Sequence, residues 1–118
     1  MANVLMVEDS LLVRQPVIEA LAEAGYGTGE AGSAPAAMSL ITAQPFDVLI
    51  TDIHLDTRLG GLDVARHWRE TRPGQPIVFA TAYPRSAVDV GPLGPKEAFL
   101  QKPYGPKELL GIVKFLLR

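Results

Sequence analysis

Three groups of residues are equipped for chemistry. Glu8, Asp9 and Ser10 follow directly on the apolar run "NVLMV" (residues 3–7). In "DVLITDIHLDTRLGG" (residues 47–61), Asp52 and Asp56 lie in the turn region that follows a second apolar run. Thr81 ends "PIVFAT" (residues 76–81), and Lys102 comes just after "AFLQ" (residues 98–101). If Glu8, Asp9 and Asp52 share one site they repel, since two unit charges about 4 Å apart cost about 4 kcal/mol at an effective dielectric of about 20. Such a cluster requires a cation. Oxygen donors without His or Cys suit a hard ion. Mg²⁺, which binds through few carboxylates and keeps positions for waters and phosphate oxygens, fits best. Lys102 and the Thr81 hydroxyl would then bind oxygens of a phosphoryl group.

Whether these residues meet depends on the elements that carry them. Residues 3–7, 26–31, 46–51, 76–81 and 98–101 read as strands, the first of them a continuous apolar run with β-branched members. Between them, helical spacing runs through Leu11, Leu12, Val17, Leu21 and Ala24, with Gly25 as the stop and Pro16 bending the helix or removing one hydrogen bond. Further helices are predicted over residues 33–43, capped by Ser33 with Pro35 in the first turn, over 62–71, and over 106–118 with Pro106 at the first position. Five strands alternating with helices imply right-handed crossovers and a parallel sheet covered on both faces. Ligands of such sheets bind at the carboxyl ends of the strands, so Glu8, Asp9, Ser10, Asp52, Thr81 and Lys102 should gather on one rim. Singly, each has an ordinary explanation: Asp9 or Ser10 as a helix cap, Asp52 as a turn residue, Thr81 and Lys102 as a strand end and a solvated cation. The joint pattern is what singles out a site.

The crossover "AYPRSAVDVGPLGPKE" (residues 82–97) is broken by Pro84, Gly91, Pro92, Gly94 and Pro95. Short isolated helices are marginal in water, so at most a turn or two is expected, with residues 83–95 a mobile switch segment.

Composition narrows the classes. With 118 residues, 47% hydrophobic and 20% charged, the chain suits one soluble globular domain over residues 1–118. The 11 basic residues are dispersed and the net charge is -2, so nothing points to nucleic acid. The absence of cysteine excludes disulfides and thiolate sites. "MANVLMVEDS" lacks the pattern of a signal peptide or a membrane anchor, in keeping with a cytoplasmic protein. "GTGEAG" (residues 27–32) matches a dinucleotide fingerprint only formally, because its glycines fall within a strand instead of between strand and helix. His67 and Trp68 are expected in structural places on the third helix.

The motifs "VEDS", "VLITDI", "VFATA" and "FLQKP" resemble the CheY-like receiver domain of two-component response regulators over the whole chain. The resemblance implies a flavodoxin-like three-layer sandwich with strand order 2-1-3-4-5. It also implies phosphoryl transfer from a sensor histidine kinase or histidine phosphotransfer protein to an aspartate. By position Asp52 resembles the phosphoacceptor, and Glu8, Asp9, Asp52 and the backbone carbonyl of His54 the ligands of Mg²⁺. Thr81 matches the hydroxyl that shifts toward the phosphoryl group and Lys102 the cation that bridges acceptor and phosphate. Lys102 and Pro103 match a pair joined by a cis peptide, and Phe99 an aromatic rotamer switch. Such a domain catalyses only its own phosphorylation and dephosphorylation.

Three features depart from or refine the resemblance. The loop "HLDTRLGGL" (residues 54–62) is enlarged, lacks the family's proline and adds Asp56 and Arg58, expected to form a solvated pair or to touch the kinase or control water. "FAT" together with the broken fourth crossover is similar to the FAT GUY subgroup, which implies HWE-type sensor kinases. That motif continues with glycine where this chain has Ala82, and Tyr83 arrives one position early. On the last helix Leu109, Ile112, Val113 and Leu116 make a core stripe, while Leu110, Phe115 and Leu117 extend it toward deeper packing or a weak dimer face. The expectation is a stand-alone receiver, monomeric or weakly dimeric, that signals to an unknown downstream protein. The alternatives are a phosphate-independent binding module, a phosphate sink, and a Mg²⁺-dependent phosphohydrolase. His54 argues against the last by standing where such enzymes place a second aspartate.

Overall fold

The protein is described from residue 2 to residue 118 by a computed structural model. Five strands, β1 (Asn3–Val7), β2 (Gly27–Ala31), β3 (Val48–Asp52), β4 (Ile77–Thr81) and β5 (Glu97–Gln101), form one parallel sheet of order β2-β1-β3-β4-β5. Every residue of β3 and β4 is buried, which is why "VLITD" and "IVFAT" show no polar alternation. Successive side chains point to opposite faces and so feed two cores. On one face Leu5, Leu49, Ile77 and Phe79 meet Ile41 of α2 (Ala34–Ala43) and Trp68 of α3 (Gly61–Thr71). On the other Met6, Ile50 and Val78 meet Leu21 of α1 (Leu11–Glu23) and Leu109 and Val113 of α4 (Pro106–Leu116).

The helix ends follow their sequence signals. The Ser10 and Ser33 hydroxyls cap α1 and α2 by accepting from the Val13 and Ala36 N–H groups, and Gly25 leaves α1 at φ +94°. Helix α1 differs from expectation in its buried face. Val17 and Leu21 are buried, but Leu11 is 57% and Leu12 88% exposed, and Ala24 is also exposed. The first turn of α1 lies at the carboxyl rim, where no strand continues beneath it. On α4 the core stripe is Leu109, Val113 and Leu116, with Ile112 half-buried. Leu110 and Leu117 pack against the same core, whereas Phe115 remains 62% exposed beneath the Arg118 guanidinium.

The crossover from β4 to β5 contains only one 3₁₀ turn, Arg85–Ala87, and Gly91 at φ +70°. It is held by few backbone hydrogen bonds, among them Ala87 N–H to Pro84 and Val88 N–H to Arg85. Its anchor is apolar: Val90 is buried in the α2/α3 core, with Val88 and Leu93 half-buried against it. Beyond the crossover, Arg69 of α3 grips Glu97 at the start of β5 through two bonds, Nε to Oε2 at 2.9 Å and Nη2 to Oε1 at 2.8 Å. The Gly94 N–H adds a third bond to this carboxylate. The Arg69 guanidinium holds Glu97 below the usual carboxylate range against the opposing effect of burial, and is itself pushed up by the pairing.

Two outcomes are expected from this architecture. Amide hydrogen exchange over residues 83–95 should be complete well before that of β4, as the sparse hydrogen bonding there requires. Glu97→Gln should cost about 1 kcal/mol at pH 7, read from urea unfolding by fluorescence of the single buried Trp68. Because the Glu97 pKa is depressed on folding, its contribution is complete above the unfolded value of about 4.3 and lost as pH falls through the lower folded value. The gap between wild type and variant should therefore close on acidification below pH about 4.

Candidate functional site

Parallel register sets the site. Val7 pairs with Thr51, Asp52 with Ala80, and Thr81 with Gln101, so Glu8, Asp52, Thr81 and Lys102 all emerge at one edge of the sheet. The Lys102 N–H donates to the Thr81 carbonyl at 2.7 Å and the Glu8 N–H to the Ala31 carbonyl at 3.0 Å, extending the ladder by one rung into the site. Glu8 is 1% and Asp52 7% exposed. One carboxylate oxygen from each of Glu8, Asp9 and Asp52 lies within 4.8 Å of the others.

The charges are arranged around Lys102. Its Nζ donates to Asp52 Oδ2 at 2.8 Å and to Glu8 Oε1. Three further oxygens are met by backbone donors: Glu8 Oε2 by Ser10 N–H at 3.0 Å, Asp52 Oδ1 by His54 N–H at 3.1 Å and Asp9 Oδ2 by Asp56 N–H at 3.0 Å. Burial pushes the Glu8 carboxyl up, with the bonds from Lys102 and Ser10 only partly offsetting it. For Asp9 burial acts in the same direction but is outweighed by hydrogen bonding with Glu8 and with the Asp56 N–H, leaving its pKa lowered. Burial disfavours the Lys102 ammonium, yet its bonds to Asp52 and Glu8 prevail and raise its pKa. Three carboxylates against one ammonium leave an excess of negative charge among oxygen-only donors. That donor set fits a hard divalent cation such as Mg²⁺ and does not fit a thiophilic or imidazole-seeking metal.

The other residues singled out by sequence fall in several places. Ser10 serves as the cap of α1 and lends its N–H to Glu8. Phe99 pairs with Phe79 in the sheet, is half-buried, and has the Arg85 guanidinium 5.6 Å above its ring. The Lys102–Pro103 peptide is cis. His67 bonds Thr42 Oγ1 away from the site, and Trp68 is fully buried. The expected pairing of Asp56 with Arg58 is not made: both are exposed, and among the described residues no ion pair joins them. Asp56 enters the site through its backbone, because the loop folds back over Asp9. Thr57 fixes this fold by accepting from Ala34 N–H at 3.4 Å and donating to the Leu59 carbonyl at 2.6 Å.

Two contributors were not identified from sequence. The His54 side chain places Nδ1 3.2 Å from Thr81 Oγ1 and packs against Tyr83, ring centroids 4.9 Å apart. The contact spans 27 positions and leaves no local signal. Gly61 closes the loop that follows β3, its N–H donating to the Ile53 carbonyl at 2.9 Å. A Cβ there would lie 1.8 Å from the Asp52 carbonyl oxygen. The Gly60-Gly61 pair at the loop's end is the signal that could have marked it.

Comparison with known proteins gives a consistent result. The profile of the response regulator receiver domain matches residues 4–114. The response regulator receiver protein CpdR of Brucella abortus is 28% identical over 99% of this chain and 98% of its own. The transcriptional regulatory protein PmrA of Pectobacterium parmentieri is 31% identical over 98% of this chain, which spans only 52% of that protein. A receiver protein of Sinorhizobium medicae superimposes with a TM-score of 0.90 at 25% identity, covering 98% of this chain and 94% of that one. The Thermotoga maritima response regulator TrrA, solved with Mg²⁺ and BeF, superimposes at 0.81 with 28% identity over 98% and 99% of the two chains.

Gly61→Ala tests the close approach. The added methyl must displace the backbone of Asp52, so the variant should lose about 2 kcal/mol of stability in urea unfolding. A wild-type unfolding midpoint would show that the loop base yields freely.

Proposed function

Because the chain belongs to the response regulator receiver domain family, we propose that it takes a phosphoryl group on Asp52 from the phosphohistidine of a sensor kinase or phosphotransfer protein and relays the signal through protein contacts. The observation that carries this reading is the setting of Asp52: a buried carboxylate with one oxygen on Lys102 and the other on a backbone N–H, beside two further acids. In the transfer an Asp52 oxygen attacks phosphorus as the phosphorus–nitrogen bond to the donor imidazole breaks and its electron pair returns to the ring. Lys102 stays with Asp52 and balances charge on the transferring oxygens. Glu8, Asp9, Asp52 and the His54 carbonyl would hold Mg²⁺, which when bound supplies charge neutralisation for the same oxygens. The Thr81 hydroxyl donates to a phosphoryl oxygen in the product state, and Phe99 follows as the aromatic switch. Residues 1–118 act as one receiver domain that catalyses only its own phosphorylation and dephosphorylation.

A phosphohistidine donor needs a surface beside Asp52. The exposed Leu11 and Leu12 lie at that rim, and Leu12, Val13, Pro16, Tyr104 and Pro106 line a cleft bordered by Lys102. These apolar residues suit a helical histidine domain. Pairing with an HWE-type kinase is supported by the "FAT" run and the single 3₁₀ turn of the β4–β5 crossover. Among the described residues no helix is long and apolar enough to cross a membrane, and the cytoplasm is the compartment where such kinases present phosphohistidine. The protein acts as a monomer or as a weak dimer through α4, where Phe115 is exposed.

Incubation with radiolabelled acetyl phosphate, or with phosphorylated candidate kinases, tests the assignment. Label should appear in the wild type with Mg²⁺, disappear with EDTA and be absent from Asp52→Asn. Label retained on that variant would transfer the acceptor role to another acid, first of all Asp56.

A further inference from the structure

Thr81 is 0% exposed, yet its hydroxyl is the group that must reach a phosphoryl oxygen. Among the described residues its Oγ1 has two partners, the Tyr83 N–H at 3.3 Å and His54 Nδ1 at 3.2 Å. The imidazole is itself seated against the Tyr83 ring, tilted by 60°. The Tyr83 N–H occupies one acceptor site of Oγ1, and among the described residues Nδ1 is the one acceptor within reach of the buried O–H, so the tautomer that satisfies every atom has the O–H donating to an unprotonated Nδ1. The single hydroxyl proton is thereby committed to His54. It cannot serve a phosphoryl oxygen until that bond is broken.

We infer that His54 is a positioning residue for Thr81, a latch whose Nδ1 holds the hydroxyl in the resting state and competes with the phosphoryl group for its proton. The inference rests on the receiver reading and adds to it a determinant of the gap between resting and phosphorylated forms. His54 thus acts twice and in opposite senses. Its backbone serves the acceptor by donating its N–H to Asp52 Oδ1, while its side chain holds back the hydroxyl that recognises the product. The energy at stake is that of one net hydrogen bond, which corresponds to about a fivefold change in an equilibrium. Because His54 is solvent-exposed, its removal leaves no cavity in either core.

Beryllofluoride with Mg²⁺, a mimic of the phosphoryl group, provides the test by calorimetric titration. His54→Ala should bind it about fivefold more tightly than wild type. His54→Asn, whose Oδ1 can stand in for Nδ1, should stay near wild type. In a Thr81→Val background, which lacks the contested proton, His54→Ala should change nothing. In the metal-free protein, the His54 Nδ1 nitrogen resonance should shift on Thr81→Val. Unchanged or weaker binding by His54→Ala would overturn the latch, and so would a gain that persists with Val at position 81 or an unshifted Nδ1 resonance. Absence of any response in the wild type would overturn the proposed phosphoacceptor role and the latch with it.

Discussion

The site depends on one cation held between two buried acids. Lys102 reaches Glu8 and Asp52 at once, and it can do so only if the ends of β1, β3 and β5 are brought together by the sheet. Strand order and parallel register are therefore tied to charge balance. Any slip of β5 against β4 would carry the ammonium off the acids and leave two carboxylates buried without compensation, a state costing several kcal/mol. The Arg69–Glu97 clamp secures the same edge strand at its other end. Lys102 is thus registered by an ion pair made outside the site.

What could be read from the sequence was whatever obeys a local rule. Glu8, Asp52, Thr81 and Lys102 each sit at or just past the end of an apolar run, and the carboxyl-end rule for parallel sheets converts those positions into a common rim without knowledge of any contact. Ser33, Gly25 and Pro106 marked helix ends for equally local reasons. The broken β4–β5 crossover was legible from its prolines and glycines. What escaped was non-local. Leu11 and Leu12 satisfy helical spacing, but periodicity does not say where the sheet beneath stops. The His54 imidazole and the Asp56 N–H enter the site only through the three-dimensional path of the loop.

The crossover illustrates how little secondary structure an α/β protein needs at an edge. One buried valine, Val90, with Val88 and Leu93 beside it, covers the surface that a helix would ordinarily cover. The backbone is left with few internal bonds. Phe99 and Arg85 meet on this thinly roofed side of the sheet, so rearrangement near Thr81 would meet less resistance here than against a packed helix.

Gly61 closes the chain tightly behind Ile53, against the carbonyl of Asp52 itself. Everything from His54 to Gly60 therefore hangs from a fixed neck. Such a neck makes the segment a cassette: its length and sequence could be exchanged between related proteins, by evolution or by grafting, while Asp52 keeps its seat in the sheet. A change of loop here is thus a low-cost route to diversity, tuning what surrounds Asp52 without rebuilding the scaffold that holds it.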